Sequence, residues 1–564
     1  MGGGARINSP QRQRGLALLV LLALFALTGV YMLVSALNQS SVSLTLARAE
    51  KNRTALRDAK AALITWSAAQ AMLTATLRPG SLPCPDRNND GIAESSCTSA
   101  NRLGRLPYKT LGIDPIYDAS GELLWYGLSG NFRTTSTINS DTAGQLTLYN
   151  RDAQGNETIV QSGTVAVLLA PGTRLGTQDR SWSGASCSAT TDPCNIASNY
   201  LEGRNGDSTT TDYVAAVETL TDPTVANLFN DQLLAITRQD LFAAIEPAIA
   251  ARIERDIVRQ YIYDSDTSLT DSANQWSDTS SNRNKSRYFD AWAGFPFAAP
   301  FASPGSSTFT GTAGTLEGLL PMVSNLSYTW SSGSVTQTGG TGTVWGGSSC
   351  APANSNTDLR CNIWYISGAP RIGISGSVSN VGRSFVQLTR LSDVSCSGCS
   401  LSSRTLTGSL NSAGNGIVNL DATMSSVGGS WTNVTVTINS GNLITSPLIS
   451  TTDSFAGWFN NNGWYKQTYY AVSPGYAPGG AGSCTAGGTC LTVNNLRTAP
   501  TDDKRAILIF AGRSLANATR PNATLSDYLE NQNASTGDRV FEHGLSSVSS
   551  AGTAINDRVI VVAP

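Results

Sequence analysis

AVLLAPGTRL spans Ala166–Leu175, and AILIFAGRSL spans Ala506–Leu515. Each is an uncharged apolar run of strand length, followed by a glycine and an arginine. Reading outward from the two strings, further matches come in the same order. Arg180 and Arg520 follow at equal offsets. Tyr200-Leu201-Glu202 returns as Tyr528-Leu529-Glu530, with Asn205 and Asn533 just beyond. Asn230-Asp231 ahead of Gln232-Leu233-Leu234 returns as Asn556-Asp557 ahead of Arg558-Val559-Ile560. Upstream, Leu124–Ser129 (LWYGLS) is echoed by Thr468–Ser473 (TYYAVS), and Gly104–Pro107 (GRLP) by Gly318–Pro321 (GLLP). Apolar strands resemble one another in any case, but a shared Arg, Tyr-Leu-Glu and Asn-Asp do not follow from apolarity. The pattern predicts a diverged internal duplication: two apolar strands, a Tyr-Leu-Glu loop, and a closing strand after an Asn-Asp turn.

The expected fold class is α+β. The first module covers 79–237, a connecting helix 238–263 and a flexible linker 264–288. The second module starts over 289–324, is interrupted by an all-β insertion at 325–447 and resumes over 448–564. The helix opens on Thr237-x-x-Asp240, a capping box with Asp in place of Glu. Leu241, Ile245, Ile249, Ile253 and Ile257 then recur every fourth residue, and Pro247 is expected to bend or divide it. The linker is rich in Ser, Asp and Asn. The insertion is rich in Ser, Thr, Gly and Val. Its Val434-Thr-Val-Thr-Ile438 run alternates with period two, and a sandwich is expected. A binding head and a purely stabilising decoration both fit it.

Near the N-terminus, Gly15–Leu37 (GLALLVLLALFALTGVYMLVSAL) carries no charge. As a helix it is roughly 35 Å long, enough for a bilayer core of about 30 Å. Arg6, Arg12 and Arg14 precede it with no acid among them, which keeps that flank in the cytoplasm and sends the rest across. Beyond it, Leu56, Ala59, Leu63, Trp66, Leu73 and Leu77 follow helical spacing until Pro79-Gly80 stops the pattern. One helix from Leu16 to Arg78 would be roughly 95 Å long. A span followed by a separate helix, broken near Asn38–Ser41, is the alternative.

The junction QRQRG|LALLVLLALF resembles the processing site of type IV pilins and pseudopilins. The resemblance covers the first 78 residues or so. It implies a leader of residues 1–15, cut after Gly15 by a prepilin peptidase, and a mature start at Leu16. It also implies a long pilin-like helix over 16–78, with its membrane span at 16–37. The family usually carries a glutamate at the fifth mature position, where this chain has Val20. That departure argues against a repeating shaft subunit and for a tip or initiation member. An uncleaved anchor reads the same way. A secretory signal ending at Val34-Ser35-Ala36 is a third reading, though the stretch exceeds the usual apolar core of about 7–15 residues.

Charged residues make up 14% of the 564-residue chain, against about 25% in an average soluble protein. With a net charge of −2, nothing points to nucleic acid. The ten cysteines fall into five short-range pairs: Cys84/Cys97, Cys187/Cys194, Cys350/Cys361, Cys396/Cys399 and Cys484/Cys490. Local pairing of an even count predicts disulfides in an oxidising compartment. Metal ligation is disfavoured by a single histidine and a single Cys-x-x-Cys.

Asp86-Arg-Asn88-Asn-Asp90-Gly91-Ile-Ala-Glu94 places oxygen side chains at alternate positions ahead of a glycine. That spacing curls the backbone around a hard cation and resembles the calcium loops of EF-hands. Asp86, Asn88, Asp90 and Glu94 are therefore candidate calcium ligands, with Cys97 where the family has its bidentate glutamate. An ion-free Asn/Asp/Gly turn is the alternative. No G-x-S-x-G, H-E-x-x-H or Walker loop occurs, and the lone His543 has no nucleophile marked beside it. A non-enzymatic protein is expected.

Together these features predict a single-pass inner-membrane protein with its bulk periplasmic or at the cell surface. By resemblance it is a large minor pilin or pseudopilin of a type IV pilus or type II secretion-like filament. Its expected partners are membrane lipid, other pilin or pseudopilin subunits, the prepilin peptidase and a surface ligand of unknown identity. A stand-alone anchored adhesin or structural protein is the alternative, and a carboxylate-dependent hydrolase a remote third.

Overall fold

Trp125–Leu128 and Ala166–Ala170 are buried at every position. Runs this short and this covered are central strands rather than helix faces. A computed structural model of the chain places them so. It describes all residues except 1–12, 74, 153, 181–186, 188, 217–228, 264–293, 306, 323–328, 346–348, 354–357, 380–393, 411–415, 426–429, 440–447, 450–454, 479, 516–518 and 545–553. In the first part of the N-terminal helix and in parts of several strands it describes the backbone alone. Helix and sheet are mixed, and the C-terminal region is mostly β. The chain forms two units. One comprises residues 1–63, 83–130 and 145–236, the other residues 64–82, 131–144 and 237–564. The expected linker, 264–288, lies outside the described residues.

Among its described residues the first unit has seven strands: β1 (Leu103–Arg105), β2 (Trp125–Leu128), β3 (Leu146–Arg151), β4 (Glu157–Thr164), β5 (Ala166–Ala170), β6 (Asp212–Ala216) and β7 (Gln232–Ile236). Four make an antiparallel sheet in the order β1-β2-β5-β7. The other three form a side sheet in which β3 pairs antiparallel with β4 and parallel with β6. Leu103, Trp125, Val167, Leu169, Tyr200 and Tyr213 belong to one core cluster. Gly127 is required there, because a Cβ would lie 2.3 Å from the Tyr213 hydroxyl.

In the second unit the matching strings form β8 (Glu317–Leu319), β16 (Thr468–Val472), β18 (Ala506–Phe510) and β20 (Arg558–Ala563), again antiparallel and in the order β8-β16-β18-β20. Between β8 and β16 come β9 (Thr329–Trp345), β10 (Ser349–Ala353), β11 (Asp358–Ser379), β12 (Val394–Ser397), β13 (Ser400–Leu410), β14 (Gly416–Ser425) and β15 (Ser430–Asn439). β11 is their spine. It pairs with β9 along one edge and with β15 and then β14 along the other. The described strands make one connected seven-stranded sheet, in which β10 pairs with both β9 and β11. A strand this long can serve two neighbours end to end. Val434, Val436 and Ile438 are buried, with Thr435 and Thr437 half-exposed between them. A short parallel pair, β17 (Thr492–Asn494) with β19 (Val540–Glu542), completes the second unit.

The first helix, α1, runs Gln13–Met72 and ends short of the expected Arg78. Its last carbonyls meet guanidinium groups instead of further turns. Arg255 Nη1 donates to the Met72 carbonyl at 2.9 Å, and Arg252 Nη1 to those of Ala71 at 3.3 Å and Thr76 at 2.8 Å. Its buried line is Asn52, Leu56, Ala59, Leu63, Ser67 and Ala71, while Leu73 and Leu77 are exposed beyond the helix end. Ser67 can take a core position because its hydroxyl donates to the Ser81 carbonyl at 3.0 Å. Among the described residues no helix is long and apolar enough to cross a membrane. The Gly15-Leu16 junction falls in the first turns of α1, and most side chains of the 16–37 stretch lie outside the described residues.

The connecting helix, α2 (Arg238–Ile253), carries the capping box in full: Asp240 N–H donates to Thr237 Oγ1 at 3.1 Å, and Thr237 N–H to Asp240 Oδ2 at 2.8 Å. It passes through Pro247 unbroken and continues as a π-helical segment, Glu254–Ile262. One lost backbone hydrogen bond is outweighed where Leu241, Phe242, Ile245, Ile249 and Ile253 are all 0% exposed.

Candidate functional site

Each sheet module is closed by the same polar lock. In the first unit the Arg180 guanidinium donates to the carbonyls of Gly172 (2.7 Å) and Tyr200 (2.8 Å) and lies over the Tyr200 ring. In the second, Arg520 does the same to Gly512 (2.8 Å), Tyr528 (3.3 Å) and the Tyr528 ring. Asp231 Oδ2 accepts from the Glu202 amide (2.9 Å) and from Asn205 Nδ2 (3.0 Å). Asp557 Oδ2 accepts likewise from Glu530 (2.8 Å) and Asn533 (3.0 Å). The glutamates return the contact: Glu202 Oε2 accepts from the amides of Asn230 and Asp231, and Glu530 Oε2 from those of Asn556 and Asp557. The Asn-Asp dipeptides are therefore not the turns expected. They hold the Tyr-Leu-Glu loop to the closing strand.

Burial, and then the neighbouring glutamate's charge, push Asp231 and Asp557 well above the usual carboxylate range. Burial raises Glu202 and Glu530 as well. One oxygen of each aspartate, Oδ1, is buried without a hydrogen-bond partner among the described residues.

Beside each lock lies an aromatic pair. Trp125 and Tyr200 are 5.5 Å apart in the first unit, and Tyr469 and Tyr528 are 6.0 Å apart in the second. What covers the pair differs. In the first unit it is the guanidinium of Arg105, 4.8 Å from the Trp125 ring and 4.5 Å from the Tyr200 ring. In the second it is the phenyl ring of Phe301, stacked on Tyr469 at 5.9 Å and edge-on to Tyr528 at 6.3 Å. Position 319, which pairs with Tyr469 as Arg105 pairs with Trp125, is a leucine. Next to Arg105 is a cavity of about 180 Å³, lined among others by Asp86, Arg105, Trp125, Thr190, Asn195 and Ser208. The corresponding cavity of the second unit is about 40 Å³, and its lining includes Phe301, Tyr469, Leu525, Leu529 and Phe541.

Arg105 is 5% exposed. Its Nη2 donates to the Cys194 carbonyl at 3.0 Å, its Nε has no partner, and among the described residues it forms no ion pair. Burial lowers its pKa, while Tyr200, Glu122 and Asp86 pull it back up. A guanidinium buried in this way carries a desolvation cost of several kcal/mol, offset in part by two ring faces at about 1–2 kcal/mol each.

The candidate calcium residues are brought together, as ligands of their own loop. Asp86 Oδ2 accepts from the Gly91 amide (2.7 Å) and Oδ1 from Asn88 (3.1 Å). Asn88 Oδ1 accepts from Asp90 (3.3 Å), Asp90 Oδ1 from Ile92 (2.7 Å) and Glu94 Oε1 from Arg87 (3.2 Å). The Lys109 ammonium donates to the Asp90 carbonyl. Among the described residues no group of three or more His, Cys, Asp or Glu is placed to hold a metal ion. All ten cysteines are paired as their spacing predicts: Cys84–Cys97, Cys187–Cys194, Cys350–Cys361, Cys396–Cys399 and Cys484–Cys490. His543 is half-buried, its Nδ1 3.1 Å from the Val559 amide. Burial, helped by Arg558, lowers its pKa.

No protein-family model, curated protein or solved structure matches the chain. Sequence reading singled out Arg180, Glu202, Asp231 and their counterparts as repeated letters only, and it passed over Arg105. The signal for Arg105 was present in GRLP against GLLP, a buried strand position that is cationic in one copy and aliphatic in the other.

Proposed function

We propose that this chain is a non-enzymatic exported protein, held in an inner membrane by the first part of α1. Two diverged copies of one sheet module and a β insertion would then lie on the periplasmic or cell-surface side. The observation that carries the reading is the five disulfides, which close sequence separations of 13, 7, 11, 3 and 6 residues. The cytosolic redox balance keeps such cysteines reduced, so five pairs of this kind support an oxidising space. The equal strand orders and matching locks of the two units support the duplication, since an arginine, a glutamate and an aspartate making the same bonds twice is unexpected from chance.

The resemblance at Gly15-Leu16 carries the finer proposal: a large minor pilin or pseudopilin at the tip or initiation complex of a type IV pilus or type II secretion-like filament. Membrane lipid, neighbouring subunits and a prepilin peptidase would be its partners. Leu27, Val30 and Met32 on α1 are 66%, 58% and 70% exposed, and apolar side chains on that stretch need lipid or a partner helix around them. Mapping the mature N-terminus of the protein recovered from membranes tests both levels. A start at Leu16 is expected. An intact Met1 removes the pilin relation, and a cytosolic product with reduced thiols removes export.

A further inference from the structure

We propose that the cavity beside Arg105 in the first unit is a binding site for a small carboxylate, with the Arg105 guanidinium as its cationic contact. The proposal stands apart from the export reading and does not need it. Charge and room occur together here and are lost together in the second unit. There, Leu319 stands at the arginine's position, Phe301 covers the aromatic pair, and the space shrinks from about 180 to about 40 Å³. The second unit shows that this core closes on apolar side chains when no cation has to be accommodated. The first unit instead keeps a nearly buried guanidinium with one carbonyl partner, an unpartnered Nε and open volume beside it.

Geometry and lining narrow the ligand class. The guanidinium is held by ring faces 4.8 and 4.5 Å away and by the Cys194 carbonyl, so its terminal nitrogens form a fixed donor array while Nε is covered. A flat two-oxygen acceptor suits such an array better than a bulkier tetrahedral anion. Leu103, Trp125 and Ala197 supply apolar wall, and Thr190 and Ser208 supply polar groups, the Asn195 amide being bonded to the Ala189 carbonyl, a division expected for a ligand with an anionic head and a compact apolar body. The Asp86 carboxylate also borders the space, but both its oxygens accept amide protons of its own loop. A cavity of about 150 Å³ holds benzene, so an aromatic or short aliphatic carboxylate is of the right size. The Cys187–Cys194 disulfide fixes the loop that supplies the Arg105 acceptor and Asn195.

Benzoate is the probe, with neutral benzamide as its isostere and sulfate as the tetrahedral anion, titrated calorimetrically into the full-length chain. Saturable benzoate binding with a dissociation constant below about 1 mM is expected, with benzamide weaker by about tenfold or more and sulfate without effect. Arg105→Leu, which installs the residue of the second unit, should abolish benzoate binding. Thr190 is exposed at the rim, so Thr190→Trp should block the cavity while leaving the circular dichroism spectrum unchanged. If Arg105→Leu fails to fold, Thr190→Trp decides alone. Absence of benzoate heat, equal affinity for benzamide, displacement of benzoate by sulfate, or undiminished binding in Thr190→Trp would each overturn the assignment.

Discussion

An aspartate buried against a glutamate keeps its charge only at high cost, and this molecule makes that contact twice. A carboxyl whose folded pKa lies above its unfolded value stabilises the fold at low pH and loses that stabilisation as pH rises through the folded value. Burial and the adjacent glutamate raise both Asp231 and Asp557. Unfolding midpoints are therefore expected to fall as pH climbs above the ordinary carboxylate range. Asp557→Asn, whose amide oxygen takes the place of Oδ2 as acceptor and carries no charge, should flatten the fall. Asp557→Ala, which orphans the Glu530 amide and Asn533, should cost about 2–4 kcal/mol in denaturant melts. A slope unchanged in Asp557→Asn would mean that the pair is ionised throughout. The Asp86, Asn88, Asp90 and Glu94 loop is tested by calcium calorimetry. Because Lys109 holds a positive charge at the Asp90 carbonyl, affinity is expected only near the millimolar range and to rise in Lys109→Ala. No heat in either protein would end the calcium expectation.

At the scale of elements, α2 carries two separable contributions. Its capping box is local, and Thr237→Ala should lower stability by about 1 kcal/mol, read as a shifted urea midpoint at constant slope. Glu246, in the middle of the same helix, accepts from the Arg513 amide at 2.7 Å and pairs with the Arg513 guanidinium, both partners being nearly buried. Glu246→Ala leaves that guanidinium without its carboxylate and should cost about 3–5 kcal/mol, far more than loss of the cap. A smaller loss than for Thr237→Ala would show that Arg513 finds water or another acceptor. The cap was legible in sequence because it is settled within four residues. That Pro247 does not divide the helix depends on how much apolar surface the helix buries, which local spacing does not state.

At the scale of the whole molecule, the disulfides set the conditions under which the chain is stable. Cys84 and Cys97 close the largest of the five loops, with a sequence separation of 13. A Cys84→Ala/Cys97→Ala double variant should lose about 2–3 kcal/mol, measured by urea unfolding of oxidised protein. Its stability should then respond less to reductant than that of the parent, and an equal response would mean that this bridge contributes little. The two units need not respond alike, since each carries its own bridges.

Much of this could be read from one dimension, for a physical reason. Strand runs, the capping box, cysteine spacing and the period-two alternation at Val434–Ile438 are governed by interactions within a few residues or by a repeating burial pattern, and letters record both. The repeated Arg, Tyr-Leu-Glu and Asn-Asp could be seen as repeats, but their meaning could not, because the bonds join Glu202 to Asp231 and Glu530 to Asp557 across long loops. Whether a guanidinium or a phenyl ring covers the aromatic pair follows from Arg105 in one unit and from Phe301, far from Tyr528 in the chain, in the other. Such contacts come from packing at long sequence separation, where the free energy of any one pairing depends on everything placed around it.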